Sequence, residues 1–112
     1  MLTSGEVVVA DLGEPVGREA GFPRPVVVVT AQVVLAQGPN VVHVVPVTST
    51  RRGFRSEIDL DPDPDNRLSE PSAAQCQHLR AVSTDRLTES LGSVGPAALL
   101  QIRETLADLL DL

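Results

Sequence analysis

The side chains in this sequence best suited to chemistry are guanidiniums and hydroxyls. Arg18, Glu19 and Arg24 fall in one Gly/Pro-rich segment, and Thr48, Ser49, Thr50, Arg51 and Arg52 in another. Arg24 stands between Pro23 and Pro25 at the mouth of a valine run. The group offers many donors and a single carboxylate. It holds no acidic pair at metal-ligand spacing and no Ser/His/Asp order, so no metal and no other cofactor is expected. What such a group suits is a phosphate oxyanion. The planar fork of arginine matches phosphate geometry, guanidinium charge offsets charge that develops on the oxygens, and hydroxyls donate hydrogen bonds to them. Further along the chain, His78 adds an imidazole, a side chain suited to proton transfer.

For these residues to meet, particular elements must carry them. Residues 6–12, EVVVADL, read as a first strand, and 13–24 as a long loop of the kind that often binds ligands. Residues 25–35 read as a second strand. It is apolar on both faces, which calls for cover on both sides. The QGPN stretch at 37–40 is a turn signal, and Val41 to Val47 a third strand, again apolar throughout. Antiparallel pairing of the second and third strands puts Arg24 at the start of one beside Thr48 at the end of the other. The loops at 13–24 and 48–55 then converge on one cleft.

Beyond that cleft, Ser56 to Leu60 alternates as a half-buried fourth strand, and 61–71 is an acidic Asp-Pro loop that resists regular structure. With Glu57 included, the stretch 57–70 reads as a solvated face. Ser72 to Val82 reads as a fifth strand and 83–92 as a short helix ending at Gly92. After Gly95-Pro96 a terminal helix follows, with Leu99, Ile102, Leu106 and Leu109 on one stripe facing the core. The expected architecture is mainly β with α: a small, strongly twisted antiparallel barrel with a C-terminal helix, as a single domain over 1–112. Two strands apolar on both faces need two covers. The helix supplies one, and a second subunit is the expected other, so a homodimer is anticipated. His43 lies on the opposite strand face from Thr48 and is placed in the core or a dimer interface.

Composition narrows the function. The chain has 112 residues, a formal net charge of −6 and two aromatic residues, Phe22 and Phe54. The charge argues against bulk electrostatic binding of nucleic acid, and base stacking on aromatics is not available as a major device. The charge is unevenly spread, however. All nine basic residues are arginine, and five of them fall in the first half, where they balance the acids. The single cysteine, Cys76, excludes an internal disulfide, reads as a small buried hydrophobe and fits a reducing cytosol. Met1 to Glu6 lacks the order of a signal peptide, and no apolar run reaches membrane-spanning length, so a cytoplasmic protein without a membrane partner is expected.

At these residues the chain resembles the MazF/PemK/Kid family of toxin endoribonucleases. The matching segments are Gly5-Glu6-Val7 through Asp11-Leu12, Gly17-Arg18-Glu19, Arg24-Pro25-Val26, Val44 to Ser49, Arg80-Ala81-Val82 and Asp85-Arg86-Leu87, then Gly92 and the terminal helix. The resemblance implies an SH3-like barrel that dimerises and cuts single-stranded RNA, often mRNA, at short sequences without a metal. In it the 2′-hydroxyl attacks the adjacent phosphorus, leaving a 2′,3′-cyclic phosphate and a 5′-hydroxyl. It assigns Arg24 to the phosphorane and leaving oxygen, Thr48 to a non-bridging oxygen, and Glu19 to help deprotonate the 2′-hydroxyl. Arg18, Ser49, Thr50, Arg51, Arg52, Gln77 and Arg80 would contact RNA, and a MazE-like antitoxin would neutralise the protein. The chain departs from the family pattern at Gln77, where members carry an acid. The neighbouring His78 is the candidate to take over proton transfer. The competing reading is a non-catalytic poison of similar fold, resembling CcdB, that binds DNA gyrase through its terminal helix. The ending Ala107 to Leu112 lacks the bulky aromatic such binding would use, and Arg24-Pro25 with Thr48 favours cleavage.

Overall fold

The computed structural model describes residues 1–112 and shows a strongly bent antiparallel sheet with one long helix at its end. The strands are β1 (Glu6–Asp11), β2 (Pro23–Val28), β3 (Val41–Thr48), β4 (Glu57–Leu60), β5 (Ser72–Gln75), β6 (Arg80–Ser83) and β7 (Leu87–Ser93). A helical turn, α1 (Gln32–Leu35), links β2 to β3, and α2 (Gly95–Leu109) ends the chain. The order across the sheet is β4-β5-β3-β2-β1-β7, with β6 also paired to β3. This is the small, SH3-like antiparallel architecture with a terminal helix that the sequence predicts.

The valine run works as expected where it is strand. Val26, Val27 and Val28 are fully buried and pair with Pro46, Val45 and Val44. Side chains alternate across the strand, so the run feeds two cores at once. Val26 and Val28 join Val8, Val42, Val44 and Leu35 on one side, while Val27 joins Val7, Val45, Val47 and Ile102 on the other. Most of both faces of β2 and β3 is therefore covered within one chain, while Val41 and His43 at the start of β3 stay exposed. In α2, Leu99 and Ile102 are buried and Leu106 half-buried, but Leu109 is 46 % exposed, so the expected core stripe stops short of it. His43 is exposed, outside the core, and Thr30 Oγ1 accepts its N–H at 2.8 Å.

Three segments differ from expectation. The second strand ends at Val28, and Gln32–Leu35 coils, with only Leu35 of that turn buried. The fifth strand is broken at Cys76–His78 by a 3₁₀ turn, and its two halves pair with different parts of β3: Ala73 and Ala74 with Thr48 and Val47, and Arg80 to Ser83 with Val44 to Val41. The segment expected as helix at 83–92 is only briefly helical. A 3₁₀ turn at Thr84–Arg86, where Ser83 Oγ accepts the Asp85 N–H at 3.2 Å, leads into β7, which pairs with β1. Gly92 is required in β7 by a close approach. A Cβ there would lie 1.8 Å from the Asp65 carbonyl oxygen, and that same oxygen accepts the Ser93 N–H at 2.9 Å. The loop after β4 thus ties itself to the strand at the other end of the sheet.

Candidate active site

Arg24 and Thr48 line the same two cavities. The β2–β3 ladder pairs Val26 with Pro46, and extending that register by two residues sets Arg24 opposite Thr48. Both side chains are half-buried and line two adjoining cavities. One, of about 530 Å³, is bounded by Arg18, Glu19, Arg52, Gln75, Gln77 and His78, with Ala20, Thr50 and Phe54 completing the wall. The other, of about 570 Å³, runs from Arg24, Thr48, Ser49 and Thr50 toward Arg67, Ser69 and Glu70.

The local bonding prepares both residues for an anion. Arg24 Nε donates to the Gly21 carbonyl at 2.9 Å, which fixes the guanidinium and leaves its terminal nitrogens free of protein partners. Burial, and then the nearby Arg52, hold the Arg24 guanidinium below the ordinary arginine range. Neither Arg24, Arg52 nor Arg18 forms an ion pair; the only such pairs belong to Arg51. Converging cations without a counter-ion are relieved by a phosphate. Thr48 Oγ1 accepts the Thr50 N–H at 3.1 Å, so its own O–H proton remains to be donated outward.

The other residues named from the sequence divide. Glu19 is exposed at the rim, and its Oε1 accepts the Val16 N–H at 3.0 Å rather than pairing with Arg18. His78 sits half-buried in the 3₁₀ turn, on the wall shared by the cleft and a smaller depression that Glu19 and Gln77 also line. Arg51 is not brought into the cleft: its Nε donates to Ser72 O at 2.9 Å and a terminal nitrogen reaches Asp61 at 2.7 Å. Arg80 borders the depression beside His78 and Leu12, and donates to the Leu12 carbonyl at 3.4 Å.

The structure adds residues that the sequence did not single out. Phe54 lines the main cavity and is 54 % exposed, so one of the chain's two aromatics is placed where a base could stack. Its signal was a lone aromatic inside a polar, basic loop. Gln75, on β5, is 4 % exposed and lines the same cavity. The segment 57–70 is not the uniform solvated face expected of it. Glu57, Leu60, Asn66 and Leu68 are buried, and Arg67 and Leu68 line the second cavity. Asn66 stiffens the loop, its Oδ1 accepting from Asp63 and Leu68 N–H groups and its Nδ2 donating to Asp61 O.

Comparison with known proteins identifies the family. Residues 3–110 match the model of the PemK-like, MazF-like toxins of type II toxin–antitoxin systems. The chain is 34 % identical to endoribonuclease MazF9 of Mycobacterium tuberculosis, over 100 % of this chain and 98 % of that relative. In fold it is similar to MazF of Deinococcus radiodurans, with a TM-score of 0.82 at 24 % identity over 97 % of this chain and 96 % of that one. It is also similar to a mycobacterial endoribonuclease in complex with its cognate antitoxin, with a TM-score of 0.80 at 24 % identity over 100 % of this chain and 97 % of that one. With a family match over nearly its whole length, the chain belongs to the PemK-like, MazF-like toxins of type II toxin–antitoxin systems.

Proposed function

We propose that this protein is a metal-independent, sequence-selective endoribonuclease acting on single-stranded RNA, with mRNA the foremost candidate, and the toxin half of a toxin–antitoxin pair. The observation that carries the reading is that Arg24 and Thr48 line the same two cavities, beside guanidiniums that form no ion pair. The ribose 2′-hydroxyl attacks the adjacent phosphorus. Its proton passes to a base, the P–O5′ bond breaks, and the products are a 2′,3′-cyclic phosphate and a 5′-hydroxyl. Arg24 neutralises charge on the phosphorane and can protonate the leaving oxygen. Thr48 donates to a non-bridging oxygen, and Arg18 and Arg52 hold the strand. Glu19 and His78 are the candidate proton acceptors at the rim. A structural relative is named as bound to its cognate antitoxin. By the same logic this chain would bind a MazE-like antitoxin; action as a cytoplasmic homodimer is what the family resemblance adds.

The test is incubation with a long single-stranded RNA in EDTA, followed by mapping of the ends. Cleavage leaving cyclic phosphate and 5′-hydroxyl termini is expected. Absence of cleavage, or undiminished cleavage by Arg24→Ala, refutes the reading. Light scattering at micromolar concentration checks the dimer.

A further inference from the structure

Gln77 occupies the position where a carboxylate was expected, and the fold supplies a carboxylate from another strand. Glu57 opens β4 and is 9 % exposed. Its Oε1 accepts the Arg52 backbone N–H at 3.2 Å, and its Oε2 accepts from Gln77 Nε2 at 3.2 Å. It therefore joins the loop that carries Arg52 to the 3₁₀ turn that carries Gln77 and His78. Directly across the ladder from Glu57 stands Gln75. Both donors that reach Glu57 are already spent on it, and the Oε1 atoms of Gln75 and Gln77 are buried with no partner. Turning the Gln77 amide over would not help, because its carbonyl would then face the Glu57 carboxylate. The carboxylate thus fixes which way the amide points. Buried acceptors without donors are rare in folded proteins and ask for an explanation.

Both glutamines line the cavity that holds Arg24 and Thr48. A nucleotide whose phosphate meets those two residues brings a base into the same space. Adenine, cytosine and guanine each offer an exocyclic amino group to an acceptor, whereas uracil offers one N3–H flanked by two carbonyl oxygens. We propose that Glu57 is a positioning residue that orients the Gln77 amide, and that Gln77, with Gln75 across the ladder from Glu57, forms an acceptor floor that selects an amino-bearing base over uracil at one position beside the cut. The inference rests on the RNA-cleavage reading.

The experiment uses full-length protein and an RNA pool randomised around the cleavage position, with the ends sequenced. Wild type is expected to deplete uracil about tenfold at one flanking position. Gln75→Met, close in size, and Glu57→Ala are expected to bring that depletion to within about threefold while cleavage continues. Circular dichroism checks folding. If Glu57→Ala does not fold, the profile of Gln75→Met decides. Cleavage without uracil depletion in wild type, or an unchanged depletion in Gln75→Met, overturns the inference and leaves the cleavage reading standing. Absence of cleavage by wild type overturns both.

Discussion

Replacing Arg24 by alanine separates chemistry from scaffold. The Arg24 guanidinium is tethered through one nitrogen to Gly21 and is free to aim the others into the cleft. Going from phosphodiester to phosphorane adds about one negative charge on the oxygens. At a separation of ~4 Å and an effective dielectric of ~20, a unit charge pair is worth about 4 kcal/mol. Loss of one preorganised donor at such a centre costs about 3–4 kcal/mol, or roughly 10²–10³ in rate. The expected result for Arg24→Ala is therefore a single-turnover rate lowered by about that factor. RNA affinity should change less, since Arg18 and Arg52 also face the strand. Stability should barely change, because Arg24 is half-buried and spends one hydrogen bond on the protein. Arg24→Lys keeps the charge but loses the Gly21 tether and the fork, and should recover only part of the rate. The assay is cleavage of a labelled RNA with enzyme in excess, together with the denaturant midpoint of each variant. A rate loss under about threefold in Arg24→Ala, with a normal midpoint, would refute the reasoning.

Three further expectations concern the scaffold. Ile102→Ala empties a fully buried position where α2 meets Val7, Val27 and Val45, and should cost about 2–5 kcal/mol in urea unfolding; a loss below about 1 kcal/mol would contradict the packing described. Gly92→Ala would drive a methyl into the Asp65 carbonyl and break the Ser93–Asp65 hydrogen bond, with an expected loss of about 2–4 kcal/mol; an unchanged melting temperature would refute it. Cys76 is fully buried and its thiol is pushed by that burial from 9.0 up to about 11. The folded state therefore holds the proton more tightly than the unfolded one, so stability tied to this group is intact below pH 9.0 and is lost as pH rises toward about 11. Wild type should lose more stability than Cys76→Ala between pH 8 and pH 10, each approximate, and native protein should resist iodoacetamide near pH 8.

The legible parts of the molecule were those decided by neighbours in sequence. The valine runs, the turn between them and antiparallel pairing are local signals, and they alone set Arg24 against Thr48. The stretch Leu87 to Ser93, LTESLGS, carries no such signal. It is half polar, it contains a glycine, and its partner is β1, about eighty residues earlier in the chain. Local propensity favoured a helix, and long-range pairing overrode it. Gln32–Leu35 failed for a related reason: an apolar run does not say where a strand must bend away to reach its turn. In the site, Glu57, Gln75 and Gln77 sit on β4, β5 and the following turn. Nothing in their spacing shows that three polar side chains share one buried volume. Phe54 and Arg67 were hidden by the averages around them, a basic loop and an acidic one.

The pairing of β1 with β7 has a consequence for how such a protein is made. Synthesis delivers Glu6–Asp11 about eighty residues before Leu87–Ser93. Until then one edge of the first strand has no partner, and the Asp65 carbonyl has no Ser93 to accept from. Pairings so distant in sequence are also the slow ones to form. The sheet is therefore completed only after Leu87–Ser93 has been made, and a ribosome that has not yet reached that strand carries an unfinished nuclease.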